Sequence, residues 1–421
     1  MRIQTEIDDA VGNLREALER NPECNIGTAQ DFVTRGELRP HAALYLWRGP
    51  DIEAGESLTA SPPPPCRSPE ERVLESLKGA LAPLVNLNPI SASANRLGRG
   101  TGTLAASFGV KLDETLGNTP SGNLELDQVL AAGMPDPAES GLIPEMHEMI
   151  DAFQCLTPDW LAIPLPDMQG PFNIAHMILG NDAFVAPLTE PEKFARLMAL
   201  ITDFFIATHR NLCSWISPAR FVQYPSNCCR IAECSVNLIS TQTYMEHVLP
   251  HDRRIAEYYG RVAIHPCSGP HVFKCTLENL PNVVYTEAGL MEPGRVFAGS
   301  ISVEEAMRQI DGRPVILAVG QELPKDFAAA EQIIRGFLDL ARVNPRMTFG
   351  FTGIHWKKAD EPRILALHRR LEKYWSEMIF GSDGISDPGR REARYASKHL
   401  SLLELPEEVL FKPVLRTRKV S

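Results

Sequence analysis

The sequence lacks any apolar run that approaches the ~18–20 residues that a helix needs to cross a bilayer, so no membrane-spanning segment is predicted. The sequence also has fewer basic than acidic residues: it contains 42 Lys and Arg and 53 Asp and Glu, and its formal net charge is −11. A basic face that grips nucleic acid or an anionic membrane needs the opposite balance. We therefore predict neither a nucleic-acid partner nor a membrane partner.

The first twenty residues lack the apolar core of a secretory signal peptide, because they are charged and have the spacing of an amphipathic helix. We therefore expect a cytoplasmic protein whose thiols stay reduced. Six of the nine cysteines lie between positions 213 and 275. Such clustering is typical of metal-binding or catalytic thiols, although a buried cysteine is also a common small core residue.

A change of character near residue 150 divides the chain. Residues 1–150 predict a helical and irregular extension, with helices over 1–20 and 69–84 and a proline-rich linker at 61–68. Residues 151–421 alternate helical patterns with short apolar runs, which predict strands at Leu161–Leu165, Arg220–Gln223, Arg261–Ile264, Val283–Tyr285, Val315–Val319 and Met347–Phe351. This α/β alternation favours a parallel sheet. No Gly-x-Gly-x-x-Gly follows a strand, which argues against dinucleotide binding, but a barrel and a doubly wound sheet both fit.

Helix starts are marked by three short polar patterns. Thr189-Glu-Pro-Glu192 and Ser302-Val-Glu-Glu305 have the spacing of a capping box. Asp326 precedes a third apolar periodic segment, and a fourth helix is predicted over 240–259. These helices would connect the parallel strands.

Polar side chains follow most of the predicted strands. In a parallel barrel the carboxyl ends of the strands converge on one face, where catalytic groups collect. The residues at these positions are Asp167, Gln169 and Phe172, then His265 and Cys267, Glu287, Gln321 and Glu322, and His355. We therefore expect one convergent site, although loops after strands are often polar without being functional.

His265 and Cys267 form the most specific pair at these strand ends. Residues two apart on a strand project to the same side, so imidazole and thiolate can reach one ion, and this donor pair suits Zn²⁺. A zinc site needs further ligands, and several remain open. They are Glu233, Gln321 or Glu322, Cys275, and the cysteines at 228, 229 and 234.

The motifs just described resemble those of the uroporphyrinogen decarboxylase superfamily, which includes the cobamide-dependent, zinc-dependent methyltransferases. The resemblance covers roughly residues 155–380 and depends on Asp167-Met-Gln-Gly-Pro-Phe172, Ile264-His-Pro-Cys-Ser-Gly269 and Phe351-Thr-Gly-Ile-His355. A weaker similarity extends to Thr101–Gly109. It implies a (β/α)8 TIM barrel, carrying here an N-terminal extension.

Two branches of that superfamily make different demands. The decarboxylases carry an arginine-rich N-terminal segment for a polycarboxylate substrate, and no Arg-x-x-Gly-Arg-Tyr occurs here. The methyltransferases use His-x-Cys and a distant cysteine; His265 and Cys267 match, but no cysteine follows Cys275. The chain is therefore more similar to the methyltransferases. Gln321 or Glu322 would replace the last thiolate, or Glu233 would join the ligands, or the site holds no metal.

The resemblance implies a specific chemistry. Zinc, acting as a Lewis acid, would assist methyl transfer between a small donor or acceptor and a corrinoid such as methylcobalamin. A small corrinoid protein would supply that cofactor, since no cobalamin-binding Asp-x-His-x-x-Gly segment is present. Asp167, Glu287 and His355 are then candidate catalytic groups, whereas Gln169, Phe172 and Gln321 would contact the substrate. A homodimer is also predicted.

Two alternative functions remain open at this stage. One is a metal-independent decarboxylase of an unidentified carboxylate, with Asp167 as its acid. The other is a non-catalytic protein that binds a tetrapyrrole or a corrinoid. Zinc content would distinguish the first from a methyltransferase, and cobalamin binding without turnover would indicate the second.

Overall fold

A computed structural model describes most of the chain. The described residues are 2–20, 44–48, 68–81, 100–113, 119–120, 122–222, 229–265, 270–280, 283–290, 315–340, 347–353 and 355–380. The predicted linker at 61–68 (apart from Ser68) and the predicted capping box at Ser302 lie outside them, as does Cys267. No helix within these ranges is both long and apolar enough to cross a membrane.

The described helices and strands alternate along most of the chain. The strands are β1 (Leu44–Arg48), β2 (Leu112–Asp113), β3 (Thr119–Pro120), β4 (Ile163–Pro164), β5 (Phe221–Val222), β6 (Cys229–Ala232), β7 (Val262–His265), β8 (Val283–Leu290), β9 (Val315–Glu322) and β10 (Met347–Gly353). The helices are α1 (Arg2–Arg20), α2 (Pro69–Leu81), α3 (Leu126–Ala132), α4 (Ile143–Leu156), α5 (Pro171–Leu179), α6 (Asp182–Thr189), α7 (Pro191–Trp215), α8 (Thr241–His247), α9 (Leu249–Tyr259), α10 (Pro270–Asn279), α11 (Phe327–Leu340) and α12 (Glu361–Phe380).

The main sheet has six parallel strands in the order β1-β10-β9-β8-β7-β6. A separate parallel pair joins β4 to β5, and Gln169, five residues after β4, bridges to Ala232 at the end of β6. Within the described ranges, no ladder joins β4 or β5 to β1. The observed architecture is therefore an α/β fold with parallel strands, and closure into a barrel stays a prediction.

All six predicted strands are present, although β8, β9 and β10 run two to five residues further than expected. Two strands of the main sheet, β1 and β6, were not predicted. β1 pairs with β10, so the sheet begins well before the predicted boundary at residue 150. The sheet thus draws one strand from the segment that was expected to be only a helical and irregular extension.

Two predictions about helix ends need correction. Thr189 does not cap α7, because its Oγ1 donates to Val185 O at 3.2 Å and the residue ends α6. The helix predicted over 240–259 is interrupted at Val248, since Pro250 in the first turn of α9 has no N–H to continue the α8 ladder. Asp326 does start α11, with its Oδ1 accepting from Ala329 N at 2.8 Å.

One hydrophobic cluster connects the N-terminal helices to the helices around the sheet. It includes Ile7 and Leu14 of α1 together with Phe194 of α7 and Ile231 of β6. The guanidinium of Arg15 lies 5.3 Å from the ring centroid of Trp160, just before β4. Helix α1 therefore packs near the amino end of β4, whereas the candidate residues follow the carboxyl ends of the strands.

Candidate active site

The sheet register determines which side chains share a face at the carboxyl ends of the strands. Ala232 at the end of β6 is paired with His265 at the end of β7, and Gln169 is paired with Ala232. Directly paired residues on neighbouring strands project to the same face. Gln169, Ala232 and His265 therefore form one row, in which a methyl group separates the amide from the imidazole.

A second row lies two residues earlier on the same strands. Arg230 is paired with Ala263, and its Nη1 lies 2.8 Å from Oδ1 of Asp167. The side chains of Arg230 and Asp167 are only 11% and 16% exposed. The predicted catalytic Asp167 thus belongs to a largely buried ion pair directly below the first row.

Glu233 projects to the other face of the sheet. It follows Ala232, and successive strand residues alternate between faces. Its Oε1 and Oε2 accept from the backbone N–H groups of Phe172 and Asn173 at 3.0 and 2.9 Å. These N–H groups belong to the first turn of α5, where no intrahelical acceptor exists. The Glu233 side chain therefore caps the N-terminus of α5.

The position of Glu233 corrects its predicted role as a metal ligand. Only its backbone N–H approaches the imidazole strand, donating to His265 O at 2.9 Å. The Glu233 carboxyl group packs directly against Gly170. A Cβ placed on Gly170 would lie only 2.3 Å from Oε1 of Glu233. A side chain held in this way cannot reach an ion on the face of His265.

A buried polar network continues from Glu233 into the helical layer. The carboxyl groups of Glu233 and Asp252 are both buried and lie close enough to affect each other's pKa. Tyr244 Oη donates to Asp252 Oδ2 at 3.0 Å, and Thr276 Oγ1 donates to Tyr244 Oη at 3.0 Å. Burial raises the pKa of Asp252 to about 7, and burial followed by the charge of Asp252 raises the pKa of Glu233. Burial therefore favours the protonated form of both carboxyl groups.

Two of the four predicted metal ligands, Cys267 and Glu322, have no described side chain. Cys267 lies outside the described residues, and only the backbone of Glu322 in β9 is described. His265 is half-buried at the end of β7. Within the described ranges, no three His, Cys, Asp or Glu side chains come close enough to hold a metal ion. Zinc binding through His265 and Cys267 therefore stays a prediction.

The other cysteines do not complete such a site. Burial raises the pKa of Cys275 to about 11, so this thiol stays protonated at neutral pH. Cys229 is fully buried in the hydrophobic cluster. It precedes Arg230 in β6, so the two side chains project to opposite faces of the sheet. Cys234 is half-buried in the turn after Glu233, and Cys228 lies outside the described residues.

The remaining predicted residues fall into two groups. Phe172 has no exposed surface, and its ring packs edge-on against Phe184 and Phe194 in the core; its predicted contact with substrate is therefore corrected to a packing role. His355 lies on the surface after β10. For Glu287 and Gln321 the structure describes only the backbone, inside β8 and β9 rather than after them.

Two methyltransferases of Methanosarcina mazei are similar to this chain. No protein-family model matches the chain. Over 120 residues it is 32% identical to a methylated-thiol–coenzyme M methyltransferase of Methanosarcina mazei, a segment that covers 28% of this chain and 30% of that protein. A solved methyltransferase from Methanosarcina mazei matches 82% of this chain and 99% of its own, with a TM-score of 0.53 and 14% identity.

The chain is therefore similar to methyltransferases, in sequence over one segment and in fold over most of its length. The resemblance predicted from the motifs is thereby confirmed. The fold is shared with that solved methyltransferase. The chain spans less than a third of the length of the curated methyltransferase that it matches.

Four residues of this chain that lie in or around the site were not predicted from the sequence. Arg230 lies in β6, a strand that was not predicted. Asn173 and Ser235 are ordinary polar residues whose partnership depends on the approach of distant loops. Asp252 could have been found, because it follows Leu249 and precedes Ile255 by three residues on the buried face of α9.

Proposed function

We propose that this protein is a methyltransferase that moves a methyl group between a small substrate and a corrinoid. The proposal includes a closed (β/α)8 barrel, with the row of Gln169, Ala232 and His265 at its mouth. That row is the observation that carries the proposal, because it brings an amide and an imidazole together at the strand ends. The similarity to a methylated-thiol–coenzyme M methyltransferase supports a methylated thiol as the first substrate to test.

The corrinoid would come from a small partner protein docked over the strand ends, and zinc would be bound by His265 and Cys267. When bound, zinc would supply Lewis acidity for activation of a sulfur, oxygen or nitrogen atom. The described residues do not complete its ligand set, so their roles are proposed independently of the metal. Gln169 would contact the substrate, and the Asp167–Arg230 ion pair lies two residues before this row.

The test is methyl transfer from a panel of methylated thiols, methoxylated compounds and methylamines to reduced cobalamin, followed by the change in its visible spectrum. We expect turnover with one donor class and loss of turnover in His265→Ala and Cys267→Ala. Cys155→Ala is the matched control, because Cys155 is exposed on α4. Metal analysis should find zinc in the purified protein and little in the His265→Ala variant.

The outcomes separate the candidate functions. Full turnover in a verified metal-free sample contradicts the zinc mechanism. Release of carbon dioxide from a carboxylate, with no methyl transfer, indicates a decarboxylase. A cobalamin spectrum that changes on mixing without turnover indicates a corrinoid-binding protein that has no catalytic role.

A further inference from the structure

Exposed apolar side chains are concentrated at one end of the fold. Among the described residues, six large hydrophobic side chains are exposed, and four of them lie on α6, on the turn after β6 and on α8. These four, which we call the apolar surface, are Val185 (51% exposed), Leu188 (74%), Leu238 (66%) and Met245 (43%). Val185 and Leu188 are three residues apart and share one face of α6. Single apolar residues are ordinary on a protein surface, whereas a group of them marks an interaction site.

The path of the chain places all three elements at the carboxyl ends of the strands. Helices α5 and α6 follow the carboxyl end of β4, and the 25 residues of α7 then lead back to the start of β5, which is parallel to β4. The turn and α8 follow the carboxyl end of β6 in the same way, before α9 leads back to the start of β7. The apolar surface therefore lies at the end of the sheet that carries the candidate active site.

Side-chain contacts hold these elements next to one another. The ring centroid of His176 in α5 lies 4.6 Å from that of Phe184 in α6, and His176 Nδ1 lies 2.7 Å from Ser235 Oγ in the turn. At the start of α7, the ring of Phe194 lies 6.3 Å from the ring of His247 at the end of α8. The four exposed side chains thus belong to neighbouring elements rather than to separate parts of the fold.

The charge around the apolar surface is mainly negative. Asp182 begins α6, Glu190 follows it, and Glu246 lies in α8, and all three are exposed. Lys193, at the start of α7, has its Nζ 2.8 Å from Asp127 Oδ1 and 2.6 Å from Glu190 Oε2, so acidic neighbours already balance its charge. An occupant of this surface should therefore present apolar side chains together with positive charge.

Residues 409–420 have this composition. They read Val-Leu-Phe-Lys-Pro-Val-Leu-Arg-Thr-Arg-Lys-Val, with six apolar residues besides the proline, four basic residues and no acidic residue. They lie outside the described residues, and residues 381–408 connect them to the end of α12. A connection of that length spans up to about 90 Å, whereas α12 itself is about 30 Å long. Residues 409–420 can therefore reach either end of the strands.

A second copy of the chain fits this surface less well. The whole chain has a net charge of −11, so a second copy would bring further acidic residues to an acidic rim. A segment tethered to the same chain is also present at an effective concentration of up to about the millimolar range. Charge and tethering both favour an occupant from the same chain.

We propose that residues 409–420 dock on the apolar surface of their own chain. Docking buries Leu188, the most exposed of the four side chains, and brings Lys412 and Lys419 to the acidic rim. The segment then covers the end of the sheet that carries the candidate active site. The proposal is independent of the proposed function, because it depends only on this surface and on residues 409–420.

Carbodiimide cross-linking of the full chain, followed by mass spectrometry, tests the docking. The reagent joins a lysine amine directly to a carboxyl group, so it links only groups in contact. We expect links from Lys412 or Lys419 to at least one carboxyl group of the rim, which consists of Asp182, Glu190 and Glu246. A mixture of isotope-labelled and unlabelled protein distinguishes links within one chain from links between two copies.

Two matched variants identify the surface. Leu188→Gln removes an apolar side chain without adding charge and should lower the yield of these links at least about fivefold. Tyr258→Gln is the control, because Tyr258 is 49% exposed near the end of α9, at the opposite end of the strands, and its replacement should leave the yield unchanged. Added synthetic peptide of residues 409–420 should compete and lower the yield in the wild type.

Three results would overturn the proposal. The first is the absence of links from Lys412 or Lys419 to the acidic rim. The second is an equal yield in the wild type and in Leu188→Gln. The third is linkage only between labelled and unlabelled copies, which would show that a second copy, rather than the same chain, supplies the segment.

Discussion

Replacing Gly170 with alanine should destabilise the protein through a steric conflict with Glu233. The backbone at Gly170 has φ −71° and ψ 167°, which any residue adopts. A Cβ there would lie 2.3 Å from Oε1, 2.5 Å from Cδ and 2.7 Å from Cγ of Glu233. Glu233 cannot yield without losing its hydrogen bonds to Phe172 N and Asn173 N. At about 1–3 kcal/mol for each of the two bonds to the carboxyl group, we expect a loss of about 2–6 kcal/mol.

The sign of the effect should reverse when Glu233 is absent. In a Glu233→Ala background the conflict disappears, and Gly170→Ala should be neutral or stabilise by up to about 1 kcal/mol through the unfolded chain. Chemical denaturation of the four proteins measures this. Gly336→Ala is the control, because nothing lies within 4 Å of its Cβ position in α11. An equal cost of Gly170→Ala in both backgrounds would refute the steric reasoning.

Three further predictions concern buried charges. Burial raises the pKa of Asp252 to about 7 in the folded protein, so stability should fall as pH rises from about 4 through 7. Asp252→Asn should make this fall smaller in a denaturation series, with the remainder due to Glu233, whose pKa is also raised; an unchanged profile would contradict the assignment. Arg220 donates to the carbonyl oxygens of Leu161, Phe153 and Thr157, so Arg220→Met should cost about 3 kcal/mol or more, and a smaller loss of unfolding free energy would count against this role. A double-mutant cycle of Arg230→Met and Asp167→Asn should give a coupling of about 1–2 kcal/mol; a value near zero would show that the ion pair is not formed in solution.

The strands that were predicted and those that were not differ in a physical way. Val315–Val319 and Met347–Phe351 are dense in apolar residues, as strands covered on both faces must be. β6 reads Cys-Arg-Ile-Ala, only four residues with a charge at the second, and gives no such signal. β1 is apolar, but its place in the sheet depends on pairing Leu44 with Phe349, a contact across about three hundred residues that no local pattern can show.

The direction of a site side chain could be predicted from the sequence only where the strand that carries it was itself predicted. His265 and Gln169 were placed at strand ends, and the register brings them into one row. Glu233 was assigned to the wrong face because β6 was not recognised, and without a strand the alternation of faces could not be applied. Phe172 was close to the site in sequence, but helix α5 turns its ring into the core. Closeness to the site in sequence therefore did not predict the direction of the Phe172 side chain.

The two faces of the sheet at the end of β6 have different roles: one contributes to stability and the other to ligand binding. Glu233 closes the start of α5 and meets Asp252 in the helical layer, so its loss should weaken the fold. Gln169 lies in the row of Ala232 and His265, and its loss should mainly weaken binding. Asn173 connects both sides, since its backbone contacts Glu233 and its amide contacts Gln169. A substitution at Asn173 should therefore change stability and ligand preference together, whereas Gln169→Met should change chiefly the second.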